Sequence, residues 1–292
     1  MRKKVLILTD KEGWHFTQIK SSLSNLNYQS SSCNLNELSL IINNKKSYIV
    51  DLNGEEINVD YVLVRYIPGG TLEEIISYLN ILKTFELNNT KVINTAENIE
   101  KTVDKSLTSL LLQKNNILTP NTYILPDITL VKKIIKDKLS SNKMIYKPMF
   151  GSQGDNIQII ENYSEIDNMN IIGNIFYIQD FIETNPPHDY RVLAIRDNNQ
   201  YLMFAMTRHG SNYLNNYSKG AECEYYEIDD DLKAISENII NIFNIDFCGI
   251  DFIKQDGKYF ALEVNSIPAW RGIQSVHDNN ITDSFIKCMF EY

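Results

Sequence analysis

Two carboxylates and a carboxamide interrupt otherwise apolar runs late in the chain: Asp251 in "CGIDFIKQ", then Glu263 and Asn265 in "KYFALEVN". An unpaired charge in such surroundings is costly, so each needs a partner. Two anionic oxygens and one neutral oxygen suit Mg²⁺ or Mn²⁺ far better than zinc. Side chains alternate faces along a strand, which puts Glu263 and Asn265 on one face. Asp256-Gly257 reads as the turn of a β-hairpin joining the two runs. A three-residue loop, with Gly257 at its left-handed bulge position, brings Asp251 to that same face. A two-residue loop sends it to the other side. The metal reading therefore predicts the three-residue loop, against the plainer reading of two solvent-facing strand acids.

Cations stand at matching places upstream. Lys147 ends an apolar run in "KMIYKPMFGSQGDNIQII" and precedes a loop of Gly151, Ser152, Gln153 and Gly154. Glycines let backbone approach phosphate oxygens closely, and a neighbouring lysine supplies charge. Lys105 in "VDKSLTSLLL" is by itself an ordinary helix lysine, and "GSQG" by itself an ordinary turn. Arg191 in "HDYRVLAIR" and Arg208 in "AMTRHG" lie on apolar strands, where a buried guanidinium calls for an anion. Taken together, these groups describe a site for a nucleoside triphosphate. Arg271 follows the metal strand directly, and its planar fork suits a substrate carboxylate. Trp14 and His15 open the first helix, at the end where α/β lobes usually bind ligands. Packing between lobes is an equal alternative for Trp14.

The elements that must position these residues fall into three parts. Residues 1–97 alternate short β-branched runs, "KKVLILTD" and "DYVLVRY", with helical patterns, among them "TLEEIISYLNILKTFELN" capped by Thr71, and read as a small parallel α/β lobe. A second helix, "TVDKSLTSLLLQKNN", opens the part spanning 98–179, which continues as strand, helix, strand, Gly loop, strand, helix, strand, a compact α+β lid. Residues 180–292 carry long alternating strands and read as a mixed or antiparallel sheet.

Composition sets the outer limits. With 292 residues, 43% of them hydrophobic, the chain can bury cores for two or three lobes. Its basic start has an apolar run too short for a signal segment, and no run reaches membrane-spanning length. Cys33, Cys223, Cys248 and Cys288 are far apart without CxxC spacing, which fits a reducing cytoplasm. A net charge of −9 disfavours a broad nucleic-acid surface, leaving a polyanion to be met by a few placed cations. Neither a GxxxxGK[ST] loop, an HExxH helix nor a GxSxG elbow occurs, and only Gly13 follows the first strand, so a dinucleotide-binding turn is missing.

In order, "DKSLTSLLLQKNNILTPNT", "YKPMFGSQGDNI", "IQDFIE", "HDYRVLAI", "SKGA", "GIDFI" and "LEVNSIPAW" resemble the ATP-grasp superfamily, in its branch of RimK-type amino-acid ligases. The resemblance covers essentially the whole chain. It implies an ATP-grasp fold with a preceding α/β lobe, and ATP with Mg²⁺, or Mn²⁺, as cofactors. It further implies that Lys105, Lys147 and Lys219 contact the nucleotide, that residues 151–154 close over its phosphates, and that Gln179, Phe181 and Ile182 line the adenine. Asp251, Glu263 and Asn265 would hold the metal, while Arg191 and Arg208 steady the transferred phosphoryl group. Family loops often carry arginine after the second glycine. Asp155 stands there in this chain. "EGWHFTQI", "VRYIPGGTLEEI" and "IPAWRGIQ" resemble ligases that add glutamate to coenzyme tails, such as the tetrahydromethanopterin and F420 enzymes. The expected activity is ATP-dependent joining of glutamate to a small acceptor through an acyl phosphate, without nucleic acid or membrane and with self-assembly left open. The alternatives are a RimK-like modifier of a protein C-terminus and a non-catalytic nucleotide-binding scaffold.

Overall fold

A computed structural model describes residues 2–140, 142–151, 155–169, 171, 173–198, 200–210, 217 and 220–290. Short β-branched runs separated by helices build the first layer. Strands β1 (Lys4–Leu8), β2 (Gln29–Cys33), β5 (Tyr61–Val64) and β6 (Lys91–Ile93) pair in parallel in the order β2-β1-β5-β6. Helices α1 (Trp14–Asn25) and α2 (Leu72–Leu87) make the crossovers, and Thr71 caps α2 reciprocally with Glu74. A hairpin of β3 (Ser39–Ile42) and β4 (Ser47–Val50), not evident in the sequence pattern, is added between them.

The helix expected over "TVDKSLTSLLLQKNN" is two helices. After α3 (Ala96–Val103), Asp104 leaves helical geometry and its side chain accepts the backbone N–H groups of Ser106 and Leu107, starting α4 (Lys105–Lys114). A carboxylate one residue before a helix is a strong N-cap, and here it wins over continuation. Lys105 is thereby fixed at the first position of α4.

The lid contains β7 (Thr122–Leu125), α5 (Ile128–Leu139), β8 (Met144–Lys147), β9 (Gln158–Ile160) and β10 (Phe176–Asp180). They form an antiparallel sheet in the order β7-β10-β8-β9. Its second expected helix is only a short 3-10 segment at Tyr163–Asn168.

The third layer is antiparallel throughout: β11 (His188–Asp197), β12 (Gln200–His209), β13 (Glu222–Tyr225), β14 (Phe247–Gln255) and β15 (Lys258–Asn265) run in the order β13-β12-β11-β14-β15. Helix α6 (Asp230–Phe243) covers one face, where Val192, Ala205, Ile250 and Phe252 pack with Ile239 and Phe243. The opposite face packs Leu193, Phe204 and Phe247 against Val5, Ile7 and Phe16 of the first lobe and Phe285 of α8 (Ile281–Phe290). Alternation along the strands then leaves the far end of this second face to charged residues. Buried Asn94 ties the lobes together: its Nδ2 donates to the carbonyls of Phe247 (2.6 Å) and Ser266 (2.7 Å), and its Oδ1 accepts from Asp246 and Phe247 N–H (both 3.2 Å).

Candidate active site

The hairpin turns by a different route from the one the sequence suggests. Gln255 pairs with Lys258, leaving Asp256-Gly257 as a two-residue loop with φ of 50° and 76°. Two successive left-handed residues match the twist of the strands they join. Asp251 nevertheless stands opposite Glu263. Phe252 pairs with Ala261, so Leu262 is an extra residue in β15, and this bulge reverses the parity that the short loop would impose. Asn265 lies opposite Gly249. All three oxygen-bearing side chains share the charged face.

Arg191 on β11 faces Asp251 directly, and its Nη1 donates to Asp251 Oδ1 at 2.7 Å. Arg208 on β12 faces Asp189 and holds it bidentately, Nε to Oδ1 at 2.6 Å and Nη2 to Oδ2 at 2.9 Å. The same Nη2 lies 3.0 Å from Asp251 Oδ1. All four residues are only 6–8% exposed, and their formal charges cancel. Burial alone would raise the Asp251 carboxyl, but the two guanidiniums prevail and hold it below the usual carboxylate range. At Asp189 burial dominates and the carboxyl is pushed up. Arg208 is raised despite its burial, because Asp251 and Asp189 surround it. Space for this cluster comes from Gly249: a Cβ there would lie 2.4–2.7 Å from the Arg191 guanidinium. Asp189 escaped the sequence reading. Its signal was present in "HDYR", two residues before Arg191 and so on the same face.

The donor set fits Mg²⁺. Glu263 is partly buried, yet its carboxylate has no hydrogen bond or ion pair to a described residue, the state expected of a ligand in reserve. Both bonds to Asp251 fall on Oδ1, leaving Oδ2. Asn265 Oδ1 accepts from Ile267 N–H at 2.9 Å and keeps a second lone pair. Among the described residues no three acids, histidines or cysteines converge on one point, and the Asn265 amide is the further protein oxygen on this face.

From the lid, Lys147 reaches the same place. Its Nζ donates to Gln179 Oε1 at 2.8 Å, and Gln179 Nε2 donates to Tyr177 OH (2.8 Å) and Thr122 Oγ1 (3.0 Å). Tyr177 OH bonds Ser109 of α4 at 2.7 Å. Gln179 is fully buried among these partners, and its side chain holds Lys147 in place. Burial pulls the Lys147 ammonium down to about 8, Glu263 and Asp251 oppose the fall, and Lys105 adds to it. Lid lysine and metal face thus sit within each other's fields. Lys105 Nζ donates to Gly151 O at 2.9 Å, joining α4 to the start of the glycine loop. Ser152, Gln153, Gly154 and Lys219 lie outside the described residues. Phe181 and Ile182 are half-buried on the segment between β10 and β11, where Phe181 N–H donates to Lys143 O at 3.0 Å.

This electrostatics predicts a proton linkage. Lys147 loses its proton as pH rises through about 8 in the free protein, whereas phosphate oxygens favour the ammonium. ADP binding is therefore expected to take up a proton above pH 8 and to weaken by up to about tenfold per pH unit there. Calorimetry in buffers of different ionisation enthalpy measures that uptake, which Lys147→Met abolishes. Buffer-independent heats at pH 8.5 would contradict it.

Arg271 begins the short helix α7 (Arg271–Gln274), exposed and without an ion pair to any described residue. His15 Nε2 accepts the backbone N–H of Trp270 at 3.0 Å, and Trp14 packs edge-on to Trp270 with centroids 6.5 Å apart. Inter-lobe packing is therefore the role the structure gives Trp14.

A lid sheet carrying Lys147 and an antiparallel sheet bearing an Asp/Glu/Asn face within its field fit an ATP-grasp ligase, an enzyme of amide-bond formation. Residues 102–289 match the RimK-like ATP-grasp domain, and the chain belongs to that family. It is 30% identical over 210 residues to the tetrahydromethanopterin:alpha-L-glutamate ligase of Methanocaldococcus jannaschii, covering 69% of this chain and 70% of that protein. It is 27% identical over 210 residues to the alpha-aminoadipate–LysW ligase LysX of Saccharolobus solfataricus, covering 69% and 74%. In fold it is similar to the ATP-grasp ligase PsnB solved with a minimal precursor, at a TM-score of 0.75 and 16% identity over 100% of this chain and 98% of that one.

Proposed function

We propose that this ligase joins L-glutamate, or a close analogue, to a carboxylate of a small coenzyme-like acceptor. The acceptor carboxylate oxygen attacks the γ-phosphorus of ATP, ADP leaves, and an acyl phosphate forms. The amine nitrogen then attacks the acyl carbon, the carbon–oxygen bond to phosphate breaks, and the nitrogen releases a proton. Lys105 and Lys147 would hold phosphate charge, while Arg191 and Arg208, beside Asp251, would steady the charge that develops during transfer. Asp251, Glu263 and Asn265 would hold Mg²⁺, or Mn²⁺ in its place, which would supply the remaining neutralisation. Positioning does the rest, which agrees with a site built without a nucleophilic side chain.

The observation carrying this reading is the single face shared by Asp251, Glu263 and Asn265 beside Arg191 and Arg208, with Lys147 of the lid sheet within its field. Identity to the tetrahydromethanopterin ligase supports glutamate and a coenzyme acceptor. The PsnB likeness, to a structure holding a precursor, favours a peptide acceptor as the second reading. No described helix is long and apolar enough to cross a membrane, and the free cysteines suit a reducing cytoplasm. ADP release across a matrix of amino acids and acceptors tests the proposal. Release that requires both an amine and a carboxylate acceptor supports it, peptide acceptors alone point to the second reading, and nucleotide binding without turnover leaves a scaffold.

A further inference from the structure

Arg65 belongs to none of the groups above. It follows β5 directly, so it emerges at the carboxyl end of the parallel sheet, beside the amino end of α1. Its Nη2 donates to Pro268 O at 2.8 Å, and its guanidinium carbon lies 4.7 Å from the Trp270 ring centroid. These contacts fix the plane of the fork but give it no counter-charge: no described acid lies within ion-pair distance, and Nε is buried without a partner. A buried donor left without an acceptor is costly, so the free edge of this fork favours an anionic ligand.

Arg271 is the second unpaired guanidinium of this region. Both arginines act on the His15 imidazole, which burial and then Arg65 and Arg271 depress to about 3. His15 is thus neutral and spends Nε2 on Trp270. The first turn of α1 contains no acid, and Gly13 offers it no side-chain cap. In a chain with 37 acids against 28 basic residues, two arginines that act on one imidazole and ion-pair with no described acid need a reason. The segment they flank, Asn265 to Trp270, leaves the metal face directly, turned by the Asn265 bond to Ile267 N–H and tethered by Arg65 at Pro268.

We propose that Arg65 and Arg271 form a paired carboxylate subsite for the amine substrate, which must then be a dicarboxylic amino acid. The inference rests on the ligase reading for the identity of that substrate. Two fixed positive charges match two carboxylates; a single carboxylate leaves one guanidinium uncompensated. Arg65, clamped by Pro268 and Trp270, is the preorganised partner, and exposed Arg271 is the adaptable one.

Calorimetry on the full chain with ADP and Mg²⁺ present tests the subsite, using L-glutamate, glutarate and L-glutamine as probes. L-Glutamate and glutarate are expected to bind, and L-glutamine at least about tenfold more weakly, since a hydrogen bond to a charged group contributes roughly 1.5–3 kcal/mol. Arg65→Gln and Arg271→Gln should each weaken L-glutamate by about tenfold or more, with ADP affinity retained. Arg65→Gln also loses its contacts to Pro268 and Trp270, so Arg271→Gln, with no bond to lose, carries the comparison if the first variant fails to fold. No binding by either diacid, equal binding of L-glutamine, or unchanged L-glutamate binding in Arg271→Gln would overturn the subsite. Turnover with neutral amines would sink the subsite and leave the ligase reading intact. Diacid binding that depends on both arginines, without ADP release for any acceptor, would do the reverse.

Discussion

Glu263→Gln is expected to lower turnover by about 10³-fold or more while leaving the melting temperature close to that of the unaltered chain. The side chain makes no bond to a described residue, so an isosteric amide removes no hydrogen bond or ion pair within that set. What it removes, on the proposed metal face, is one of the two anionic oxygen donors. The loss should appear as weakened Mg²⁺ dependence of ADP binding as well as in rate. A second signature follows from Lys147. Glu263 is the leading influence holding that ammonium up against burial, so its removal lets the ammonium fall further, and proton uptake on ADP binding should begin at lower pH. A Glu263→Gln enzyme with near-normal turnover would remove Glu263 from the metal face.

Asp189→Leu is expected to destabilise the fold by about 3–5 kcal/mol, because it leaves Arg208 buried with a share of Asp251 as its only counter-charge. That corresponds to a fall in melting temperature on the order of 10 °C. The double variant Asp189→Leu/Arg208→Met should regain most of the loss, since exchanging a whole buried pair for apolar groups is often neutral. It should remain inactive. A double variant that melts no higher than Asp189→Leu would show that Asp189 matters through packing and not through charge. Asp189 is a positioning residue in this account: it holds Arg208 beside Asp251.

The comparison of sequence with structure is sharpest at the hairpin. Apolar neighbours around Asp251 and Glu263 revealed that both face a site, but the argument from loop length assumed an unbroken ladder. The Asp256-Gly257 turn is the short one, and the Leu262 bulge restores the shared face. Bulges leave little trace in alternation, because one extra residue resembles a change of face. Asp104 was visible but was read as a helix residue, although its capping strength decides where Lys105 stands. The motif around Gln179 does not disclose the three side-chain hydrogen bonds by which it holds Lys147. Contacts of this kind arise between strands distant in sequence, and no local pattern encodes them. Arg65 went unremarked for the same reason: its significance is the missing acid, which only the folded neighbourhood shows.

An acyl phosphate intermediate carries one oxygen of the acceptor carboxylate into the released phosphate. With an acceptor that supports turnover, ¹⁸O is placed in the acceptor carboxylate and the released phosphate is examined by mass. Attack of that carboxylate on the γ-phosphorus predicts one ¹⁸O in each phosphate formed from fully labelled acceptor, matched to the amide produced. Phosphate free of label, with amide still formed, would show that the carboxylate is not phosphorylated, and would contradict the chemistry assigned to the Asp251, Glu263 and Asn265 face.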